Sequence, residues 1–208
     1  MKRITRTICL AALVIFALPQ TALGLAKPDL APHPDTAPTE SVQPAGQYSA
    51  AGGSAGGSNA ISFASLKDGD IVVVLDPTNV TGHAGMLDRS RYTSISSYAM
   101  LSANMTPRWG VQYERCSKYR LYEWAYALRV PKEYSHRVAV RNYAAKQVGK
   151  PYSLGASKTD LRSFYCSKLA WVAYRNVTGV DLDGDGGFWV WPADLIASGY
   201  TMLIGFWS

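Results

Sequence analysis

The stretch Ser163-Phe164-Tyr165-Cys166-Ser167-Lys168-Leu169-Ala170-Trp171-Val172-Ala173-Tyr174-Arg175-Asn176 decides how the chain is read. Leu169, Ala170, Ala173 and Tyr174 fall on one stripe at helical spacing, so an amphipathic helix is expected from Cys166 to Asn176, stopping near Gly179. Cys166 opens that helix. A thiol there feels the partial positive charge of the helix N-terminus, which favours thiolate and lowers its pKa. The unpaired backbone N–H groups of the first turn can stabilise a developing oxyanion. Chemistry at such a sulfur needs an imidazole to hold its proton and a third polar group to orient the ring.

Upstream of this helix the sequence has the pattern of strands. Ile71 to Leu75 is a β-branched run opened by Asp68-Gly69-Asp70, with Asp70 capping the turn, and closed by Asp76-Pro77. His83–Leu87, Ala99–Asn104 and Gly110–Glu114 are further strands. Leu121–Val130 places Tyr122, Trp124, Tyr126, Leu128 and Val130 on one face by the period of two. Helices follow at Tyr134–Val148, Cys166–Asn176 and Ala193–Ala197, and a last strand at Thr201–Phe206. Strands first and helices later imply an α+β domain with an antiparallel sheet of five or six strands.

Residues 61–208 hold two histidines, His83 and His136, and two cysteines, Cys116 and Cys166. His136 lies at a charged helix start and reads as solvated. His83, in Thr81-Gly82-His83-Ala84-Gly85-Met86, has small neighbours that let a substrate approach the ring. The third partner is expected on a neighbouring strand, where Ser102 and Asn104 share a face. Asn104 is preferred, because its amide oxygen can accept the imidazole proton facing away from the thiol; Ser102 is the alternative. Two competing readings stand beside this one: Cys166 as a buried small hydrophobe, and a Cys116–Cys166 disulfide that removes the nucleophile.

The rest of the chain bounds the function. Met1 to Arg6 is cationic, Ile8 to Leu18 is apolar, and Thr21-Ala22-Leu23-Gly24 is a run of mostly small residues, the layout of a cleaved secretory signal peptide over 1–24. The apolar run is short of the roughly 20 residues of a membrane span, so no stable span is expected after leader removal. Cys9 falls inside this run. Residues 25–60 are rich in Pro, Ala, Gly and Ser and read as a flexible tail, leaving 61–208 as one domain. The formal charge of +6 falls to about +3 without Lys2, Arg3 and Arg6, too mild to imply nucleic acid. The expected location is secreted, periplasmic or in the cell envelope. Oligomeric state is not readable.

With these residues in place, a family resemblance emerges. Gly69-Asp70-Ile71-Val72, then Gly82-His83-Ala84-Gly85-Met86, then Tyr165-Cys166-Ser167-Lys168-Leu169-Ala170-Trp171 resembles the circularly permuted, YiiX-like branch of the NlpC-type papain-like cysteine hydrolases. Gly149-Lys150-Pro151-Tyr152, Asp181-Leu182-Asp183 and Val190-Trp191-Pro192-Ala193-Asp194-Leu195 are similar to secreted bacterial members. The resemblance covers nearly all of residues 61–208. It implies a permuted papain-like fold and an exported thiol hydrolase that cleaves an amide through Cys166, His83 and a polar third residue, with no cofactor. The implied substrate is a cell-wall (peptidoglycan) peptide. Relatives in this branch also imply lipid-directed hydrolysis, acyl transfer or a catalytically inactive cleft-binding module. Members often carry Glu or His just before an Ala as the third group; the matching position here is Ser102, before Ala103.

Asp181, Asp183 and Asp185 resemble the opening of a calcium loop, but the twelfth position is Pro192 in place of a bidentate Glu, so an acidic turn is the plainer reading. Phe188, Trp189 and Trp191 read as core or cleft wall.

Overall fold

Val72, Val73 and Val74 sit on a strand that is apolar on both faces, and that fact sets the architecture. The computed structural model describes residues 58–77 and 79–208. The expected signal peptide, Cys9 and nearly all of the expected tail lie outside the described residues. Strand β1 (Ile71–Asp76) is paired on both sides, by β2 (Asn79–Leu87) and β5 (Trp124–Arg129). With β3 (Tyr98–Asn104), β4 (Gly110–Arg115) and β6 (Met202–Trp207) they form one antiparallel sheet in the order β4-β3-β2-β1-β5-β6. Helices α1 (Tyr134–Ala145), α2 (Cys166–Thr178) and α3 (Pro192–Ala197) lie between β5 and β6 in sequence. The protein is therefore a mixed α/β domain with a six-stranded antiparallel sheet.

One face of the sheet buries Ile71, Val73, Ala84, Met86, Leu101 and Leu128 against Leu169, Val172 and Ala173 of α2 and Val140 of α1. At about 25 cal/mol per Å² of apolar surface, this is the largest source of cohesion in the domain. α2 ends where Gly179 takes φ +71°, the left-handed cap geometry that its composition foreshadows. α1 stops at Ala145, three residues before the expected Val148, because the chain tightens into turns closed by Gln147 N–H to Ala144 and Val148 N–H to Ala145.

The opposite face carries a second core: Val72, Val74, Leu87, Met100, Ala125 and Ala127 beneath Ile61, Phe63, Leu66, Tyr119 and Tyr122. Its cover is the segment from Asn59 together with the 3₁₀ turn Cys116–Leu121. Asn59 is buried and its amide donates to the carbonyls of Tyr119 (2.8 Å) and Tyr122 (2.9 Å), while the Arg120 guanidinium donates to the Ile61 carbonyl. Asn59 and Ala60, expected in the tail, thus adjoin the folded unit. Tyr122, expected on one face with Tyr126 and Leu128, belongs to this second core. The 3₁₀ turn delays the strand to Trp124 and breaks the period-two pattern before it starts.

Asp70 is fully buried at the head of β1. Its carboxylate accepts the Lys67 N–H (2.7 Å) and takes Arg129 of β5 in a two-point contact (2.8 and 2.5 Å). Gly85 leaves room for Tyr119: a Cβ there would lie 1.9 Å from the Tyr119 hydroxyl. Gly85→Ala is therefore expected to displace Tyr119 and destabilise the domain by about 1–3 kcal/mol, measured as a lower midpoint in urea with an unchanged slope.

Candidate active site

Past the pairs Met86–Leu101 and Leu87–Met100, β2 and β3 diverge. Leu87 directs its N–H to Asp70 on the β1 side, so by strand alternation the N–H and C=O of Ala84 point toward the gap. The Ser102 hydroxyl donates across it to the Ala84 carbonyl at 2.6 Å. The first turn of α2 meets the same gap, and the Ala84 amide bears on the Cys166 sulfur. Tyr165, which precedes the helix, makes no side-chain cap, so the N–H groups of the first turn are left for other partners.

His83 is 2% exposed and joins both sides of the site. Its Nε2 lies 2.8 Å from Glu114 Oε2, and the ring acts on the Cys166 thiol. Glu114, on β4, is 3% exposed and collects four donors. His83 Nε2 and the Tyr119 hydroxyl (2.9 Å) reach Oε2; Asn104 Nδ2 (2.7 Å) and Lys118 Nζ (2.6 Å) reach Oε1. That fills the four lone-pair sites of a carboxylate.

The electrostatics follow from this chain of contacts. Burial alone would lower the His83 pKa, but the adjacent Glu114 charge and the hydrogen bonds to Cys166 and Glu114 raise it to about 9. Burial would raise the Glu114 carboxyl, yet the His83 charge and hydrogen bond, followed by Lys118, hold it well below the ordinary carboxylate range. Burial also acts to raise Cys166. The hydrogen bond and charge of His83, with the amides of Ala84 and Ser167, outweigh it and lower the thiol. The pairing thus favours the thiolate and the imidazolium over their neutral forms. Cys116 behaves in the opposite way: buried without a cation, its thiol is pushed up to about 11. Both thiols are free, so the sulfurs that could have been joined are separate.

The structure brings Cys166 and His83 together. The contact expected of Asn104 goes elsewhere: its Nδ2 donates to Glu114 and its Oδ1 accepts the Met105 N–H at 2.7 Å, leaving neither for the ring. Ser102 Oγ is 3.3 Å from His83 Nε2, but its proton goes to Ala84. The residue that stands against the ring is Glu114, which the sequence pattern does not single out. Its only signal is a carboxylate on the same strand face as Gln112, in register with Met100 beside Ser102. His136 is exposed, as expected.

The acidic turn is arranged differently from a calcium loop. Asp181 accepts Trp171 Nε1 (2.7 Å) and pairs with Arg175. The carboxylates that cluster within 4.8 Å are Asp183, Asp185 and Asp194, and the Lys158 ammonium contacts both Asp183 and the Gly187 carbonyl.

Cys166 opens onto a cavity of about 300 Å³ bounded by Leu154, Tyr165, Trp189, Val190, Trp191 and Pro192. Among the described residues, no helix is long and apolar enough to cross a membrane.

No protein-family model matches the chain. It is similar to an uncharacterized protein YycO of Bacillus subtilis (strain 168), 35% identical over 74 residues, which is 34% of this chain and 30% of that protein; the match spans less than a third of that relative's length. Among solved structures it resembles the crystal structure of metalloprotein YiiX from Escherichia coli O157:H7, with a TM-score of 0.52 and 16% identity over 67% of this chain and 96% of that one. At that identity the likeness is one of fold.

Alkylation of Cys166 by iodoacetamide is expected to proceed well below the pKa of about 8.5 of a free thiol. Glu114→Gln removes the charge that keeps His83 protonated, so the alkylation midpoint should move up toward that value. Mass-resolved labelling across pH checks both, with Cys116 as the unreactive internal control.

Proposed function

We propose that the chain is an exported thiol hydrolase of permuted papain-like, NlpC-type architecture, acting on an amide or related acyl bond. Cys166 is the nucleophile, His83 the proton carrier and Glu114 the group that orients the ring. One observation supports this above the rest: the imidazole is held 2.8 Å from a buried carboxylate, and the same ring acts on the Cys166 thiol to lower its pKa. Supporting it further, the histidine strand precedes the cysteine helix, the order in which the permuted branch differs from ordinary members.

In this reading the thiolate attacks the carbonyl carbon and forms the C–S bond, while the Cys166 N–H at the helix start faces the developing oxyanion. The imidazolium gives its proton to the departing nitrogen or oxygen as that bond breaks. Water then attacks the thioester, His83 takes its proton, and the carboxylic acid leaves as the thiolate is restored. Export rests on residues 1–24, and with the resemblance it makes a cell-wall peptide the substrate class to test first.

The fold neighbour is described as a metalloprotein. Here the acidic trio does not fit a metal centre, because a lysine ammonium already lies against Asp183 and the Gly187 carbonyl, and Asp194 accepts the Trp191 N–H at 2.6 Å. No step is assigned to a metal.

Cys166→Ala is expected to abolish turnover of purified wall and of small acyl esters while leaving the melting curve in place, since a half-buried thiol is replaced by a smaller apolar group. Glu114→Gln should reduce kcat by up to about 100-fold and move the alkaline limb of the pH profile below 9. Wild-type rates in Cys166→Ala would overturn the assignment.

A further inference from the structure

The outer edge of β4 carries a second cavity, of about 560 Å³, that shares no lining residue with the one at Cys166. Its shape is fixed by the backbone. The Val111 N–H donates to the Lys150 carbonyl (2.8 Å) and the Gly149 N–H to the Val111 carbonyl (2.9 Å), which fastens the chain at Val148 and Gly149 beside the strand. Gly110 permits this approach, because a Cβ there would lie 2.4 Å from the Lys150 carbonyl oxygen. Tyr113 is set in place by its hydroxyl, which donates to Asp88 at 2.9 Å, and by the Arg91 guanidinium 4.0 Å above its ring. Trp109 stands edge-on to Tyr152, with ring centroids 6.3 Å apart.

The walls combine open rings with polar groups that have nothing to bind. Trp109 is 68% exposed and Tyr98 49%, so two aromatic surfaces are bare where such side chains are ordinarily well covered. Gln112 lies in the wall at 8% exposure. Its Nε2 donates both hydrogens, to the carbonyls of Thr106 (3.0 Å) and Arg108 (2.8 Å), and its Oε1 is left as an acceptor with no partner among the described residues. Arg108 lines the same space, and Arg115 lies over the Tyr98 ring at 5.0 Å. Neither guanidinium has a carboxylate partner among the described residues, and no Asp or Glu lines the cavity.

These groups call for three features in one ligand. A saturated ring presents weakly positive C–H bonds to the negative faces of Trp109 and Tyr98. A hydroxyl satisfies Gln112 Oε1. A carboxylate matches the forked N–H donors of a guanidinium. An acidic peptide supplies the last of these but no flat saturated ring. Single-stranded nucleic acid needs a track of cations along its phosphates, which the mild net charge of the domain does not supply. The volume is in the range of ligand sites. It corresponds to roughly nineteen groups of the size of a water molecule, at about 30 Å³ each, enough for a sugar ring with its substituents and part of the next.

We propose that this cavity is a binding site for an acidic glycan, seating a carboxylate-bearing pyranose against Trp109, Gln112 and Arg108. The site goes beyond the thiol-hydrolase reading. It holds the domain on an acidic polysaccharide independently of turnover at Cys166.

The test is calorimetric titration of the full chain, and of its Cys166→Ala variant, with hexagalacturonate, neutral cellohexaose, hexaglutamate and hexathymidylate. Hexagalacturonate should bind both proteins alike, at least about fivefold more tightly than the other ligands, and more weakly as salt rises. Trp109→Ala and Arg108→Ala, both at exposed positions, should each weaken it by about fivefold or more with the melting curve unchanged. No binding of hexagalacturonate would overturn the site, as would equal binding of cellohexaose or hexaglutamate, tighter binding of hexathymidylate, or unchanged affinity in Trp109→Ala. Each of these results leaves the thiol hydrolase standing. Wild-type turnover in Cys166→Ala would overturn the hydrolase and leave the glycan site in place.

Discussion

A buried carboxylate holds this site together. Glu114 carries its charge on the face of the sheet away from the helices, where an unpartnered carboxylate would cost several kcal/mol. Four donors from three separate segments make it tolerable: His83 from β2, Asn104 from β3, and Lys118 with Tyr119 from the 3₁₀ turn. Each depends on something further out. Tyr119 fits because Gly85 has no side chain, and the turn that bears Tyr119 and Lys118 is fastened by Asn59 and Arg120. The second core therefore acts as the support of the polar cluster, packing Tyr119 and fixing the turn from outside.

On the other side of the ring, the divergence of β2 from β3 does the corresponding work. A continuous ladder would occupy the Ala84 N–H and C=O with β3. The gap frees them, and they take the Cys166 sulfur and the Ser102 hydroxyl instead. The helix brings its own N-terminal field to the same point, so the sulfur experiences an imidazolium, two amides and a helix end together. Burial opposes ionisation of all three members, and the pairing overcomes it in each. Each of the three groups favours the charged form of its neighbour, and Lys118 adds to the hold on Glu114.

The parts of this arrangement that are local were legible in the sequence. The α2 stripe, its Gly179 stop and the β1 run follow from local spacing, and the pairing of His83 with Cys166 follows from how few histidines and cysteines residues 61–208 hold. What could not be read depends on register. Ser102 and Asn104 do share a strand face, but so do Gln112 and Glu114 on the next strand, and only the pairing of Ser102 with Gln112 and Met100 with Glu114 brings the carboxylate within reach. A Glu in a short strand reads as solvent-facing because its four partners come from positions 83, 104, 118 and 119. Tyr122 misled for a related reason: the 3₁₀ turn that displaces it has no period to detect. Phe188, Trp189 and Trp191 were recognisable as a wall, though not as the wall of a cavity beside the thiol.

The identity of the third group bears on how the site is interpreted as chemistry. With Asn104 or Ser102 against the ring, the imidazolium would have a neutral neighbour, and a cleft that binds without turnover would be the natural reading of so weakly supported a base. Glu114 removes that premise, since an ionised carboxylate at 2.8 Å favours the protonated ring that the thiolate needs. Asn104 then serves the carboxylate and not the imidazole. Its amide, with Lys118, orients Glu114 from behind, so that Oε2 is directed to His83 and Tyr119. The polar residues of β3 thus stand one step removed from the ring, and across the strands β4-β3-β2 the contacts run from Glu114 to His83 and from His83 toward the sulfur.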